Sequence, residues 1–159
     1  MRPELESLIG NVEDISILEV EKGAIRKFAD AVEDQNPLYS NEEYSNNSRF
    51  RSIIAPPGFF GWPDRWPKEG PLFSGILVTL ADALKHGGYS ITTAIDAKIE
   101  YEFFHPVHAG DTLTAKSTII DIAERQGSEG KTLFATIETD YSNQQNRQVA
   151  KVRWISILR

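Results

Sequence analysis

At 159 residues, with 40% hydrophobic and 25% charged side chains, the chain has the composition of a globular protein that buries a proper core. Its formal charge of −6 and pI near 5.1 argue against nonspecific nucleic-acid binding, while leaving room for a local basic pocket that holds a small anion. The absence of cysteine excludes disulfides, thiolate metal sites and a cysteine nucleophile.

The length suits one domain over residues 1–159. The opening MRPELESLIGN is too polar for a secretory signal, and the most apolar run, GILVTLADAL, is far short of the ~20 residues that span a bilayer. A cytoplasmic protein with no membrane contact is expected. Residues 14–20, DISILEV, alternate as a strand does. In 21–33, Ile25, Phe28, Ala29 and Val32 fall at helical spacing, with Glu21, Lys22, Lys27 and Asp30 on other faces. This predicts an amphipathic helix whose Ile25, Phe28 and Val32 face the sheet, the most buried helix of the fold. Asn36-Pro37 is its expected stop, because a residue before proline disfavours the α region. A short helical piece is expected at 41–46. APPGFFGWPDRWPKEGP, residues 55–71, is too rich in proline and glycine for a long regular element and carries a bulky apolar surface. SGILVTLADALKHGG fits a helix ending at Gly87 and also the start of a strand.

Beyond about residue 90 the pattern is β. AKIEYEFF sets Ala97, Ile99, Tyr101 and Phe103 against Lys98, Glu100 and Glu102. After the turn HAGDT, Leu113, Ala115, Ser117 and Ile119 share a face, and the phase shifts at Ile120 as a bulge would shift it. RQGSEGK turns again, Leu133, Ala135, Ile137, Thr139 and Tyr141 alternate, and QVAKVRWISIL follows SNQQNR. The class is α+β, an antiparallel meander packed on a helix, with long strand edges that call for a cover or a dimer partner.

The segments AIRKFADAVEDQNPLY, IIAPPGFF, YEFFHPVHAGDTL and TLFATIETDYSNQQNRQVAKVRW, in this order behind a strand, resemble the MaoC-like dehydratase family. They are closest to its N-terminal, FAS1-type dehydratase half and to the small subunits of heterodimeric (R)-3-hydroxyacyl-thioester dehydratases. The resemblance runs from about residue 8 to 158, and NPLY and HPVHAGD are its most specific pieces. It implies the hot-dog fold, a long helix wrapped by a curved antiparallel sheet. It further implies hydration of trans-2-enoyl thioesters, or the reverse dehydration, on coenzyme A or acyl carrier protein. No cofactor is called for. A homo- or heterodimer with a second hot-dog subunit is implied.

In active members a D-x-N-P-x-H segment holds the water between its Asp and His. Here it reads Asp34-Gln35-Asn36-Pro37-Leu38-Tyr39, with a phenol where the imidazole belongs. An imidazole exchanges protons near neutrality, whereas a phenol titrates near pH 10. The family's oxyanion donor is a backbone N–H in a turn at the start of the central helix. The matching stretch is Ala55-Pro56-Pro57-Gly58, in which proline has no N–H to give and Gly58 offers one a position later. Catalytic candidates are therefore Asp34, Asn36 and Tyr39, as a degenerate site, with His86 as a substitute base. Substrate-binding candidates are Pro56, Pro57, Gly58, Phe59 and Trp62 for the acyl chain, and Arg49 and Arg51 for a phosphate of the carrier, since both point the same way if extended.

Each candidate has a plainer reading. Asp34 and Asn36 fit a helix-end turn, and Tyr39 fits a packed aromatic with a satisfied hydroxyl. Phe59, Phe60, Trp62 and Trp66 fit interface filling, the arginines fit a solvated pair, and His105 and His108 fit a strand turn. No metal-ligand spacing such as H-E-x-x-H occurs. Three functions follow. One is the substrate-binding half of a hydratase or dehydratase. Another is a self-sufficient hydratase or thioesterase using Asp34 with another base. The third is a noncatalytic acyl-thioester binding module.

Overall fold

The computed structural model describes residues 3–11, 13–60, 75–86, 88–127 and 130–159. In chain order the elements are α1 (Pro3–Glu6), β1 (Glu13–Glu19), α2 (Lys22–Ala31), a 3₁₀ turn (Pro37–Tyr39), α3 (Glu42–Asn47) and α4 (Gly75–His86). Four strands follow: β2 (Ala94–Phe103), β3 (Thr112–Gly127), β4 (Gly130–Ser142) and β5 (Gln148–Leu158). The strands form one antiparallel sheet in the order β1-β3-β4-β5-β2. β3, β4 and β5 are the expected meander. β2 precedes them in sequence but pairs with β5, so β1 and β2 are the two edges. Among the described residues no helix is long and apolar enough to cross a membrane.

The bulge expected at Ile120 is present: the β3–β4 register slips between Ile119 and Asp121. Leu113, Ala115 and Ile119 point inward before it and Ile122 after it, whereas Ile120 turns outward. Leu133, Ala135, Ile137, Thr139 and Tyr141 of β4 are all buried, as their alternation requires. Against this inner face α4 buries Ile76, Leu77, Leu80 and Leu84, so the apolar run that fitted both helix and strand is the central helix. Its start is tightly built. A Cβ on Gly75 would fall 2.7 Å from a carboxylate oxygen of Asp14 on β1, so any larger residue there requires the Asp14 side chain to shift.

The expectation that 21–33 would be the most buried helix is corrected. α2 buries only Ile25 and Ala29 fully, Phe28 is half-buried, and Val32 is 53% exposed. The helix stops at Ala31, before Asn36-Pro37, and Val32 is its C-cap, still bonded through its N–H to Phe28 O at 3.1 Å but standing at the exposed end of the helix. β2 also departs from expectation. Its alternation is as read, but it lies at the sheet edge and its residues 95–103 are all exposed.

On the outer face, Glu138 accepts from Lys151 Nζ at 2.7 Å and Arg153 Nη2 at 2.6 Å. Hydrogen bonds from Lys151 and then Arg153 hold its carboxyl below the usual carboxylate range. The depressed value means that its contribution to stability is present above the unfolded-state pKa and is lost as pH falls through the folded one. Chemical denaturation across the acid range is expected to show the wild type losing this increment and Glu138→Gln lacking it from neutrality downward. Leu80, fully buried in α4, should cost about 2–5 kcal/mol on truncation to Ala, whereas Val32→Ala should cost under about 0.5 kcal/mol. Urea unfolding of the two variants checks that α4, and not α2, carries the core.

Candidate active site

The DQNPLY segment is built by three consecutive caps. α2 ends in a Schellman motif: Asp34 N–H bonds to Ala29 O at 2.9 Å, Glu33 N–H bonds to Asp30 O at 3.2 Å, and Glu33 takes φ +58°. Asp34 Oδ1 then accepts Asn36 N–H at 3.1 Å, and Asn36 Oδ1 accepts Leu38 N–H at 3.1 Å to cap the 3₁₀ turn. Pro37, with its fixed φ and no N–H, sits at the start of that turn. Asp34 is exposed, Asn36 is half-buried and Tyr39 is buried with 7% of its surface exposed. Burial pushes the Tyr39 phenol up, the charge of Asp34 adds to this, and an interaction with Asn36 opposes it. The three residues share one electrostatic neighbourhood, in which Tyr39 stays protonated throughout the physiological range.

Residues 52–60 lie alongside. Ile54 N–H bonds to Leu38 O at 3.3 Å, and Ile54 forms an isolated antiparallel bridge with His108. Ala55 N–H to Val107 O at 2.8 Å and Ala109 N–H to Ile53 O at 2.9 Å complete the contact. The fold thus joins NPLY to HPVHAGD through Ile53–Ala55. Next comes a tight turn closed by Phe59 N–H on Pro56 O at 3.1 Å, with Pro57 second and Gly58 third at φ +86°, the pattern of a type II turn. The Gly58 N–H has no acceptor among the described residues. Phe59 is buried and meets Phe28 edge-on at 5.7 Å. Trp62 and Trp66 lie outside the described residues.

Arg49 and Arg51 are exposed, but the segment is not extended: Arg51 has φ +60°, and the Arg49 guanidinium lies over the Phe50 ring at 4.6 Å. The common direction expected for an extended pair does not apply. His86 is the exposed last residue of α4, and its Nδ1 bonds back to Asp82 O at 2.7 Å within the helix. His105 is exposed and bonds to Phe104 O. No group of three metal-binding side chains occurs among the described residues.

Sequence reading missed the linkage around His108. Its Nδ1 lies 2.6 Å from Ser52 Oγ, and its N–H donates to Asp111 Oδ2 at 2.8 Å. Gln144 Nε2 donates to Asp111 Oδ1 at 2.9 Å, and Gln144 Oε1 accepts Thr112 N–H at 3.0 Å. Gly110, at φ +92°, allows the chain to bend so that the buried Asp111 faces back on the turn. The Gly-Asp pair of HAGD was the available signal; Gln144, 33 residues further on, gave none.

A five-stranded antiparallel sheet packed on one central helix is the hot-dog fold. The profile of the FAS1-like, dehydratase domain region matches residues 7–152, and the chain belongs to that family. It is 35% identical over 121 residues to a UPF0336 protein of Thermobifida fusca, covering 76% of this chain and 73% of that one. It is 27% identical over 138 residues to a probable enoyl-CoA hydratase alpha subunit of Thermomonospora curvata, covering 82% of this chain but only 42% of that longer protein. Among solved structures it resembles the ChsH1-ChsH2 complex from Mycobacterium tuberculosis, with a TM-score of 0.76 at 16% identity over 97% of this chain and 88% of that one. At that identity the likeness concerns the fold.

Asp111→Ala removes the buried acceptor of two part-buried hydrogen bonds, from the half-buried His108 N–H and from the amide of the exposed Gln144. The variant should lose about 1–3 kcal/mol in urea unfolding, chiefly through the His108 N–H, because water can reach the Gln144 amide. Amide exchange at His108 should accelerate in the same variant.

Proposed function

We propose that this chain is the substrate-holding component of an enoyl-thioester hydratase, or (R)-3-hydroxyacyl-thioester dehydratase, completed by a second hot-dog subunit that carries the acid–base residues. The observation that carries this reading is the state of Tyr39. It is buried and held protonated where the reaction needs a group that exchanges protons near neutrality. The kinship to a protein described as an alpha subunit of a probable enoyl-CoA hydratase supports an acyl-thioester substrate and a divided enzyme.

In the hydration, water oxygen bonds to the β-carbon while electrons move onto the thioester oxygen, and a proton then reaches the α-carbon. A base must take the water proton and donors must steady the enolate oxygen. Asp34 accepts Asn36 N–H and has an exposed carboxylate, so it can order a water without a partner to relay the proton. Gly58 N–H is the donor this chain can offer the thioester oxygen in place of the prolines before it. Phe59 and Trp62 are assigned to the acyl chain, and the cations of Arg49 and Arg51 to a carrier phosphate.

Loss of one acid–base partner lowers rates by about 10²–10⁴. The purified chain should therefore hydrate crotonyl-coenzyme A close to background. Co-expression with a subunit bearing an intact D-x-N-P-x-H segment should raise the rate by that factor, with Asp34→Asn costing little in the complex. Steady-state absorbance of the enoyl thioester reads both. Robust turnover by the chain alone, abolished by Asp34→Asn, would establish a self-sufficient site.

A further inference from the structure

The inner face of the sheet extends past the central helix. α4 lies against β1 and β3, and the same face continues onto β5 and β2. There Ile99, Tyr101 and Phe103 of β2 lie opposite Trp154, Val152 and Ala150 of β5. The β5 residues are buried, but those of β2 are 44%, 40% and 50% exposed. Phe60, which follows the Pro56–Phe59 turn, stacks on Tyr101 at 5.8 Å and on Phe103 at 6.0 Å, so an open aromatic strip leads away from that turn. The far end of the strip is polar. The β2–β5 register shifts between Asp96 and Lys98, which makes Ala97 an extra residue. In unbroken alternation Asp96 would face outward with Lys98; the bulge returns it to the inner face, opposite Ser156. Ser156 is fully buried, and its hydroxyl donates to Asp96 Oδ1 at 2.9 Å. Asp96 is exposed, and its carboxylate makes no other bond among the described residues. Trp154 stands two residues before Ser156 on the same face and is only 6% exposed. Its indole N–H is buried with no acceptor among the described residues, a rare state for a native donor.

We infer that this strip binds a long acyl tail whose far end carries a hydroxyl group, held between the Trp154 indole N–H and the Asp96 carboxylate. The inference rests on the acyl-thioester reading above and adds the class of tail to it. A hydroxyl has one proton to give and lone pairs that accept. Its oxygen accepts from Trp154 Nε1, and its proton goes to the open oxygen of Asp96, so one ligand atom answers both unused groups. A plain alkyl end answers neither. An ammonium end has no lone pair for the indole, and a carboxylate end meets the like charge of Asp96. Ile99 and Asp96, which neighbour Trp154 on β2, are both exposed, and the tail enters from their side. The strand from Tyr101 to Asp96 runs about 16 Å at ~3.3 Å per residue, which calls for a long tail.

Isothermal titration of the purified chain gives the test, with dodecanoyl- and hexadecanoyl-coenzyme A and the ω-hydroxy counterpart of each. At the matching length the hydroxylated tail should bind roughly tenfold tighter, or more, than the plain one, because a site built for a hydroxyl leaves its polar groups unpaired without it. Trp154→Phe keeps an apolar ring and removes the N–H. It should bind the two tails alike, with the affinity for the plain tail kept, and Asp96→Ala should lose the preference in the same way. The chain has three tryptophans, and the indole N–H resonance that disappears in Trp154→Phe identifies Trp154. In the wild type that resonance should move downfield with the hydroxylated tail and not with the plain one, a response that a purely structural tryptophan does not give. Circular dichroism checks that each variant is folded. Equal binding of plain and hydroxylated tails by the wild type, or a preference that survives Trp154→Phe, would overturn the inference and leave the acyl-thioester reading standing. Failure to bind any of the thioesters would overturn both.

Discussion

The carboxylate of Asp111 is the fixed point of this fold. It is buried, and both oxygens are occupied, one by the N–H of His108 and the other by the amide of Gln144. Its own backbone carbonyl accepts Val20 N–H at 2.9 Å, and Gly110 N–H returns a bond to Val20 O at 2.8 Å. One residue thereby ties the end of β1, the turn before β3 and the β4–β5 turn. A buried charge is tolerated only when its hydrogen-bonding capacity is used, and this one is satisfied from two directions. Through His108 the anchor reaches Ser52 and Ile54, and through Ile54 it reaches Leu38. The Leu38 end of the candidate site is thus tied to the turn before β3, while the cap of α2 places Asp34.

Elements governed by local rules were legible in the sequence. The bulge after Ile119 announced itself by a change of phase, and the inward series of β4 by strict alternation. What failed was rank. Phe28 and Val32 carry the right period, but period alone does not say how deeply a helix is packed, and a Schellman cap at Glu33 ends this one just beyond Val32. That cap uses a residue other than the usual glycine, so composition gave no warning of it. In the same way the alternation of β2 is real, and only the strand order, a nonlocal property, makes it an edge. Asp34, Asn36 and Tyr39 were found together as their spacing suggested. The helix bearing His86 keeps that ring for its own carbonyl.

The caps around DQNPLY change what those side chains can do. A carboxylate oxygen of Asp34 and the amide oxygen of Asn36 are each engaged with a backbone N–H two residues ahead. The shape of the segment therefore depends on local bonds made by Asp34 and Asn36 to the backbone. An imidazole at the position of Tyr39 would sit in the same frame, because the frame is made by Asp34, Asn36 and Pro37. Burial then reinforces the exchange: an apolar site favours the neutral phenol and raises its pKa further.

Phe59 and Phe60 connect the two surfaces that matter. They leave the Pro56–Phe59 turn in different directions. Phe59 meets Phe28 on the helix whose cap places Asp34, and Phe60 lies against Tyr141 at 4.6 Å and against the strip on β2. Both are buried, so neither can move without displacing packed neighbours. The turn that offers the Gly58 N–H is consequently held between the helix behind the acidic segment and the open edge of the sheet. In this architecture the edge and the site share a wall, and its stiffness comes from two adjacent aromatic residues that pack in separate places.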